Sequence, residues 1–276
     1  MINCQAIYVD GGATSTKIYF CDDKKNVIEK TIAPRLNLVA FETESLHNLE
    51  FIKNILSPYS QLPIRFGIPG IRMYDQSIIK KIFNPDFKDL SFLTDIELQA
   101  NLLIKESEFN FMSLGTGSVN LERIKNQTRL LGGWGHLLGD YGSAFDFGKT
   151  WIRHGINDFE NKKVESNFVK ITCDFFEMNN FEEIKKLYLN QENFKQRISE
   201  FTVQILTKNE GLSLEKKIVS TEIIKKLVGD LKKSNFNGML PLYVSGGLLK
   251  STEYRLVFLE EFKKVAIDVI LLENNN

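Results

Sequence analysis

The sequence is short of cysteine, histidine and proline, and it has no excess of either charge. Cys4, Cys21 and Cys173 are the only cysteines in 276 residues and form no C-x-x-C pair, so neither a disulfide framework nor a zinc or iron–sulfur site is expected. A reducing, cytoplasmic setting fits that usage. Lysine plus arginine equals aspartate plus glutamate at 35 each; without a net field to hold a polyanion, nucleic acid is not an expected partner. No apolar run approaches the roughly 18 residues of a membrane-spanning helix. Met1 to Gly12 also lacks the basic and long apolar regions of a secretory leader, so a membrane partner is not expected either. Five of the six prolines lie at or before Pro85 and the sixth is Pro241. Between residues 157 and 210 there is neither proline nor glycine, the residues that most strongly punctuate a chain.

What is present is ordinary globular material, 43% hydrophobic and 25% charged, enough to build one large domain or two medium ones. Residues 6–9 and 17–20 are apolar runs broken by Gly11 and Gly12, which predicts a hairpin, and 27–32 extends it to a meander. Helical spacing follows at Leu46 to Leu56 and at Ile78 to Phe83, with a strand between them at 64–68. A strand near 91–93 and a helix over 97–105 complete an alternating α/β pattern. At Phe109 a second glycine-broken hairpin begins, 109–114 and then 119–124, which suggests two related halves. The glycine-free stretch carries apolar residues at near-helical spacing and predicts an inserted helical layer at about 157–235, with strand character returning at 240–244 and 266–272.

Three segments carry chemistry. Asp10-Gly11-Gly12-Ala13-Thr14-Ser15-Thr16 places a carboxylate at a strand end, glycines in the turn and hydroxyls on the returning strand. Glycine lets backbone N–H groups approach phosphate, hydroxyls donate to its oxygens, and the carboxylate can hold hydrated Mg²⁺. An ordinary Gly-Gly hairpin turn is the plain alternative. Gly115-Thr116-Gly117-Ser118 repeats the pattern in the second half. The segment Gly132-Gly133-Trp134-Gly135-His136-Leu137-Leu138-Gly139-Asp140-Tyr141-Gly142-Ser143 leads into a helical face at Ala144, Phe147, Gly148 and Trp151. It therefore predicts a ligand-shaping loop that ends at a helix N-terminus, where anions are favoured.

Together with a late Ser245-Gly246-Gly247, these motifs resemble the family of N-acetylglucosamine kinases and BadF/BadG/BcrA/BcrD ATPases, within the sugar kinase, Hsp70 and actin superfamily. The resemblance runs from Asp10 to about Ser251. It implies an α/β fold of two ribonuclease H-like domains, the actin-like ATPase fold, with an active-site cleft between them. Read onto this chain, the domains are 1–111 and 112–276.

The roles that follow are those the resemblance implies. Asp10 positions Mg²⁺, through water, and Gly11, Gly12, Thr14 and Thr16 form the first phosphate loop. Gly115, Thr116, Gly117 and Ser118 form the second, and Gly246 and Gly247 lie against the adenosine of ATP. Asn37, Gly133, Trp134 and Asp140 bind the sugar. Asp95 touches the same substrate and is the catalytic base, taking the proton of the attacking hydroxyl. Read without the resemblance, Asp95 is equally an aspartate capping the helix that begins near Glu97. Trp134 either stacks on a ring or anchors its loop, and His136 reads as a structural, hydrogen-bonded histidine. Tyr141 stands where glutamate is common in the family, Asp146 where an aromatic is common, and Val119 where asparagine is found in eukaryotic members. A late Gly-Ala helix usual in the family is missing.

The implied activity is phosphorylation of a hydroxyl of N-acetylglucosamine or a related N-acetylhexosamine by ATP, with a homodimer suggested by the family alone. Two other readings stay open: a non-catalytic sugar- or nucleotide-binding regulator on the same frame, and an ATPase that activates a radical dehydratase. The second would need cysteines for a cluster shared between subunits.

Overall fold

The computed structural model describes residues 4–272 except 84, 126, 189–192, 209 and 210. The chain divides into two compact units, 1–105 and 106–276. The division falls six residues before the boundary expected at 111. Phe109–Leu114 forms one continuous strand that pairs only within the second unit, so the break precedes it.

In the first unit, β1 (Ala6–Asp10), β2 (Thr16–Cys21) and β3 (Val27–Ala33) form the expected antiparallel meander. Helix α1 (Glu42–Leu56) leads to β4 (Pro63–Gly67), and α2 (Gln76–Phe83) leads to β5 (Asp89–Leu93). Both of these strands run parallel to β1, giving the order β3-β2-β1-β4-β5. Alternation along β1 divides the packing. Ile7 and Val9 join Leu49, Ile52, Ile79 and Phe83 of α1 and α2 in one core. Tyr8 meets Leu98 of α3 (Asp95–Leu103) on the other face.

The second unit repeats the plan. Strands β6 (Phe109–Leu114), β7 (Ser118–Ile124) and β8 (Gln127–Gly132) are an antiparallel meander. β9 (Leu242–Ser245) and β10 (Val269–Leu271) add in parallel beside β6. The order β10-β9-β6-β7-β8 is that of the first sheet read from its other edge. Between β8 and β9, where the first unit has α1, lies the helical layer: α4 (Ala144–Glu160), α5 (Asn167–Phe176), a 3₁₀ stretch Phe181–Tyr188, α6 (Phe194–Lys208) and α7 (Ser213–Lys233). Trp151, Phe168 and Phe201 lie at its centre. Helix α8 (Thr252–Lys263) packs on α7 and connects the two parallel strands. The expected reading contained neither β8 nor α8. Among the described residues no helix is long and apolar enough to cross a membrane.

Candidate functional site

In the first unit, the residues singled out from the sequence gather at the carboxyl ends of the parallel strands, the end where α/β sheets bind ligands. Asp10 stands beside Gly67 of β4, and Gly67 beside Leu93 of β5, with Asp95 two residues beyond. The position of α3 depends on Gly67: a methyl group there would lie 2.6 Å from Leu98 Cβ, so glycine is what seats the helix on the sheet next to Asp10. Nothing in the sequence reading pointed to Gly67.

The helix cap at Asp95 is settled by its neighbours. Thr94 is the N-cap; its Oγ1 accepts from the Glu97 N–H at 3.3 Å while Glu97 Oε2 accepts from the Thr94 N–H at 2.8 Å. This reciprocal box leaves Asp95 as the first helical residue, exposed and uncommitted to capping. Loss of hydration still raises its pKa above the ordinary carboxylate value, opposed by the N–H groups of Ile96 and Asp95 and reinforced by Glu97. Asp10 is raised too: burial is the main cause, Lys17 opposes it and the nearby charge of Asp95 adds to it. The charge of Asp95 thus bears on Asp10.

The loop carrying Asn37 is strapped to both neighbouring turns. Leu36 N–H donates to Gly12 O at 3.2 Å and Leu38 N–H to Pro69 O at 3.0 Å. Asn37 Oδ1 accepts from the N–H groups of Val39 and Ala40, each at 3.0 Å, so its Nδ2 is the donor left for a ligand. Thr14 is exposed, as a phosphate contact requires. Thr16 is not: it is fully buried and its hydroxyl donates to Pro34 O at 2.7 Å. The expected phosphate contact of Thr16 is therefore corrected to a tie holding the Asn37 loop.

In the second unit, three predicted segments converge. Gly115 and Thr116 are exposed at the β6–β7 turn. The buried Ser118 donates its hydroxyl to Tyr141 O at 2.7 Å. As with Thr16, its proton is spent inside the protein, and its role becomes that of joining the turn to the glycine-rich loop. Gly117 lies against Asp140, where a methyl group would stand 2.6 Å from Oδ2. Asp140 has left-handed backbone (φ 57°) and is buried, and its Oδ2 accepts from Lys195 Nζ of α6 at 3.3 Å. Lys195 was not foreseen. Gly246 rests on the Leu114 carbonyl, which leaves no space for a side chain, whereas Gly247 and Gly115 face open space within 4 Å. At those two positions the protein itself does not demand glycine, which suits close approach by a ligand.

The glycine-rich loop ends at the predicted helix N-terminus, and Ser143 is its N-cap. Ser143 Oγ accepts from Asp146 N–H at 3.2 Å, Asp146 Oδ2 accepts from Gly142 N–H at 3.1 Å, and Tyr254 donates to Gly142 O at 2.6 Å. Gly133 N–H donates to Ser118 O at 3.1 Å, and Trp134 is 76% exposed. Its exposed face is available for stacking. The His136 ring meets Phe145 edge-on at 4.7 Å. Burial lowers its pKa, Lys195 adds to the effect and Asp140 opposes it.

No family model matches the chain. An N-acetylmuramic acid/N-acetylglucosamine kinase of Clostridium acetobutylicum is 24% identical over 274 residues, covering 94% of this chain and 89% of that protein. A solved structure from Chromobacterium violaceum, provisionally assigned as an N-acetylglucosamine kinase, superposes with a TM-score of 0.69 at 17% identity and covers 96% of this chain and 93% of its own. A protein of the same provisional assignment from Porphyromonas gingivalis gives a TM-score of 0.69 at 16% identity, with coverage of 98% and 95%. The fold is that of the actin-like ATPases, in two ribonuclease H-like halves. The resemblance read from the motifs is matched over nearly the whole chain.

Proposed function

We propose that the chain is an ATP-dependent kinase that phosphorylates a hydroxyl of an amino sugar, N-acetylglucosamine or a related N-acetylhexosamine. The observation that carries this reading is Asp95, an exposed carboxylate on the first turn of α3, freed from capping by Thr94 and set near Asp10. In the proposed step the sugar hydroxyl gives its proton to Asp95 as its oxygen bonds to the γ-phosphorus. The bond from that phosphorus to the bridging oxygen breaks, and ADP leaves with the electron pair. Asn37 Nδ2, Asp140 and the face of Trp134 hold the sugar. Gly115, Thr116 and the Gly11–Gly12 turn with Thr14 hold phosphate, and Gly247 admits the adenosine.

Mg²⁺, when bound with the nucleotide, neutralises phosphate charge. Asp10 fits such an ion. Its carboxylate has no side-chain hydrogen bond or ion pair among the described residues and carries a desolvation burden that a cation would relieve.

A non-catalytic regulator is the second reading, favoured by the neutralisation of Asp140 by Lys195. The dehydratase-activator reading loses ground, since Cys4 and Cys21 are buried and Cys173 is partly covered. ADP release from Mg²⁺-ATP, measured with N-acetylglucosamine, N-acetylmannosamine, N-acetylmuramic acid, glucosamine, glucose and no sugar, tests the proposal. Release stimulated by an N-acetylated sugar, with the matching phosphosugar, is expected. Sugar-independent release, or binding without release, would overturn it.

A further inference from the structure

We propose that Arg72 is a positioning residue for Asp95: through Glu97 it locks the first turn of α3, and through the turn at 69–73 it joins that lock to the Asn37 loop. The inference rests on the kinase reading above only in giving Asp95 its chemical role.

The capping box uses one carboxylate oxygen of Glu97. Oε2 accepts from both the N–H and the hydroxyl of Thr94, each at 2.8 Å. The other oxygen, Oε1, accepts from Arg72 Nη2 at 2.7 Å. Glu97 is only 7% exposed, and a buried carboxylate held by neutral donors alone would be costly without a countercharge. Arg72 supplies that charge from a short 3₁₀ turn, Ile71–Met73. The turn is aimed by Gly70, whose φ of 87° belongs to the left-handed region and whose Cα lies against Val39. Leu38 N–H holds the same turn through Pro69 O at 3.0 Å, and Ile68 N–H bonds Leu93 O at 2.9 Å just before Thr94. An unbroken run of contacts therefore leads from Asn37 through Pro69, Gly70, Arg72 and Glu97 to the backbone that presents Asp95. A sugar seated on Asn37 and the carboxylate that takes its proton are held to one frame.

The titratable and charged groups on the elements packed against α3 are Tyr8 and Asp10 on β1, Tyr19 and Cys21 on β2, Arg65 on β4 and Asp89 on β5, with Lys25 donating to Asn101 O, Arg72 on Glu97, and Glu97 on α3 itself. Arg65 and Asp89 pair at 2.7 Å. Arg72 thus balances Glu97, whose charge works against ionisation of Asp95. This separates a positioning role from simple stabilisation, because the two partners must move Asp95 in opposite directions.

The experiment is a carboxyl NMR titration of Asp95 in nucleotide-free protein, for wild type, Arg72→Gln, Glu97→Gln and Arg72→Lys, with the acid limb of kcat/KM measured alongside. Arg72→Gln leaves Glu97 unbalanced and is expected to raise the Asp95 pKa. Glu97→Gln is expected to lower it, and Arg72→Lys, which keeps the charge, to restore the wild-type value. Turnover should fall about tenfold in Arg72→Gln with KM for ATP unchanged. Identical Asp95 titrations in folded Arg72→Gln and Glu97→Gln overturn the proposal; should Arg72→Gln not fold, the fall in Glu97→Gln and the recovery in Arg72→Lys decide it. Asp95→Asn is the control for the kinase reading. If it keeps near-wild-type turnover while the titrations shift as described, Arg72 positions Asp95 and the base assignment is what fails.

Discussion

Gly67 and Leu98 touch where a side chain would otherwise stand: Cα of the one faces Cβ of the other, with 2.6 Å left for any added methyl group. That contact sets the depth at which α3 sits on β4, and so where Asp95 is offered. Gly67→Ala should therefore lower stability by about 1–3 kcal/mol, the usual cost of overfilling a packed site. It should reduce sugar-dependent turnover by more than any change in ATP binding. Unfolding midpoints and single-turnover rates check it; unaltered turnover would show that helix depth does not matter to Asp95.

Asp10 carries a cost that should be visible in its absence. Folding raises its pKa, chiefly by burial, so the folded chain holds the proton more tightly than the unfolded one. The resulting stabilisation is present below the ordinary value of about 3.9 and is lost as pH rises through the raised value. At pH 7 the ionised group is a burden. Asp10→Asn is expected to melt higher than wild type at pH 7, with the gap closing near pH 3, and to lose the stabilisation that Mg²⁺-ATP confers. Thermal melts with and without nucleotide test all three parts, and a lower melting point at pH 7 would refute the assignment of burial as the dominant cause.

Two threonines in one motif should separate cleanly. Thr16→Val strips the Pro34 carbonyl of its 2.7 Å donor in a buried position and should cost about 1–3 kcal/mol. Thr14→Val removes an exposed hydroxyl and should leave the melting temperature within about 1 °C while raising KM for ATP several-fold. Equal loss of stability in both variants would contradict the difference in burial.

Lys195 acts on two groups. Its removal in Lys195→Met takes away a charge that holds down the His136 pKa, after burial the strongest influence there, so His136 should titrate at higher pH. The same change leaves the Asp140 carboxylate buried without its cation, and KM for the sugar should rise about tenfold. Imidazole proton shifts and initial rates read the two effects separately. A lower sugar KM would instead mean that Lys195 competes with substrate for Asp140.

Much of this architecture was legible because its signals are local. The two glycine-broken hairpins at Asp10 and Leu114, the helical spacing from Leu46 to Leu56, and the helix that starts after Ser143 all follow from neighbours within a few residues. Strand β8 was missed because Gln127, Thr128 and Arg129 are polar and the strand lies at a sheet edge with little burial. Helix α8 was missed although its pattern is readable, since Tyr254, Val257, Phe258, Glu261 and Phe262 are buried at helical spacing. Thr94 and Glu97 likewise match the T-x-x-E capping pattern. Arg72 and Lys195 could not be read, because each meets a partner 25 or 55 residues away through the fold alone. Thr16 and Ser118 show the opposite limit: the motif names the residue, and only packing shows which way its hydroxyl turns.

The shared strand order of the two sheets has an evolutionary consequence. A chain that uses one topology twice holds a spare copy of each loop, and spare copies are free to specialise. The first copy ends its central strand in Asp10, while the second ends the matching strand in Leu114, so the negative charge at that position stands in one half alone. The helical layer, in turn, grew at the crossover that α1 occupies in its sister half. A topology used twice thus lets one copy carry an added helical layer while the other keeps the short crossover beside Asp10.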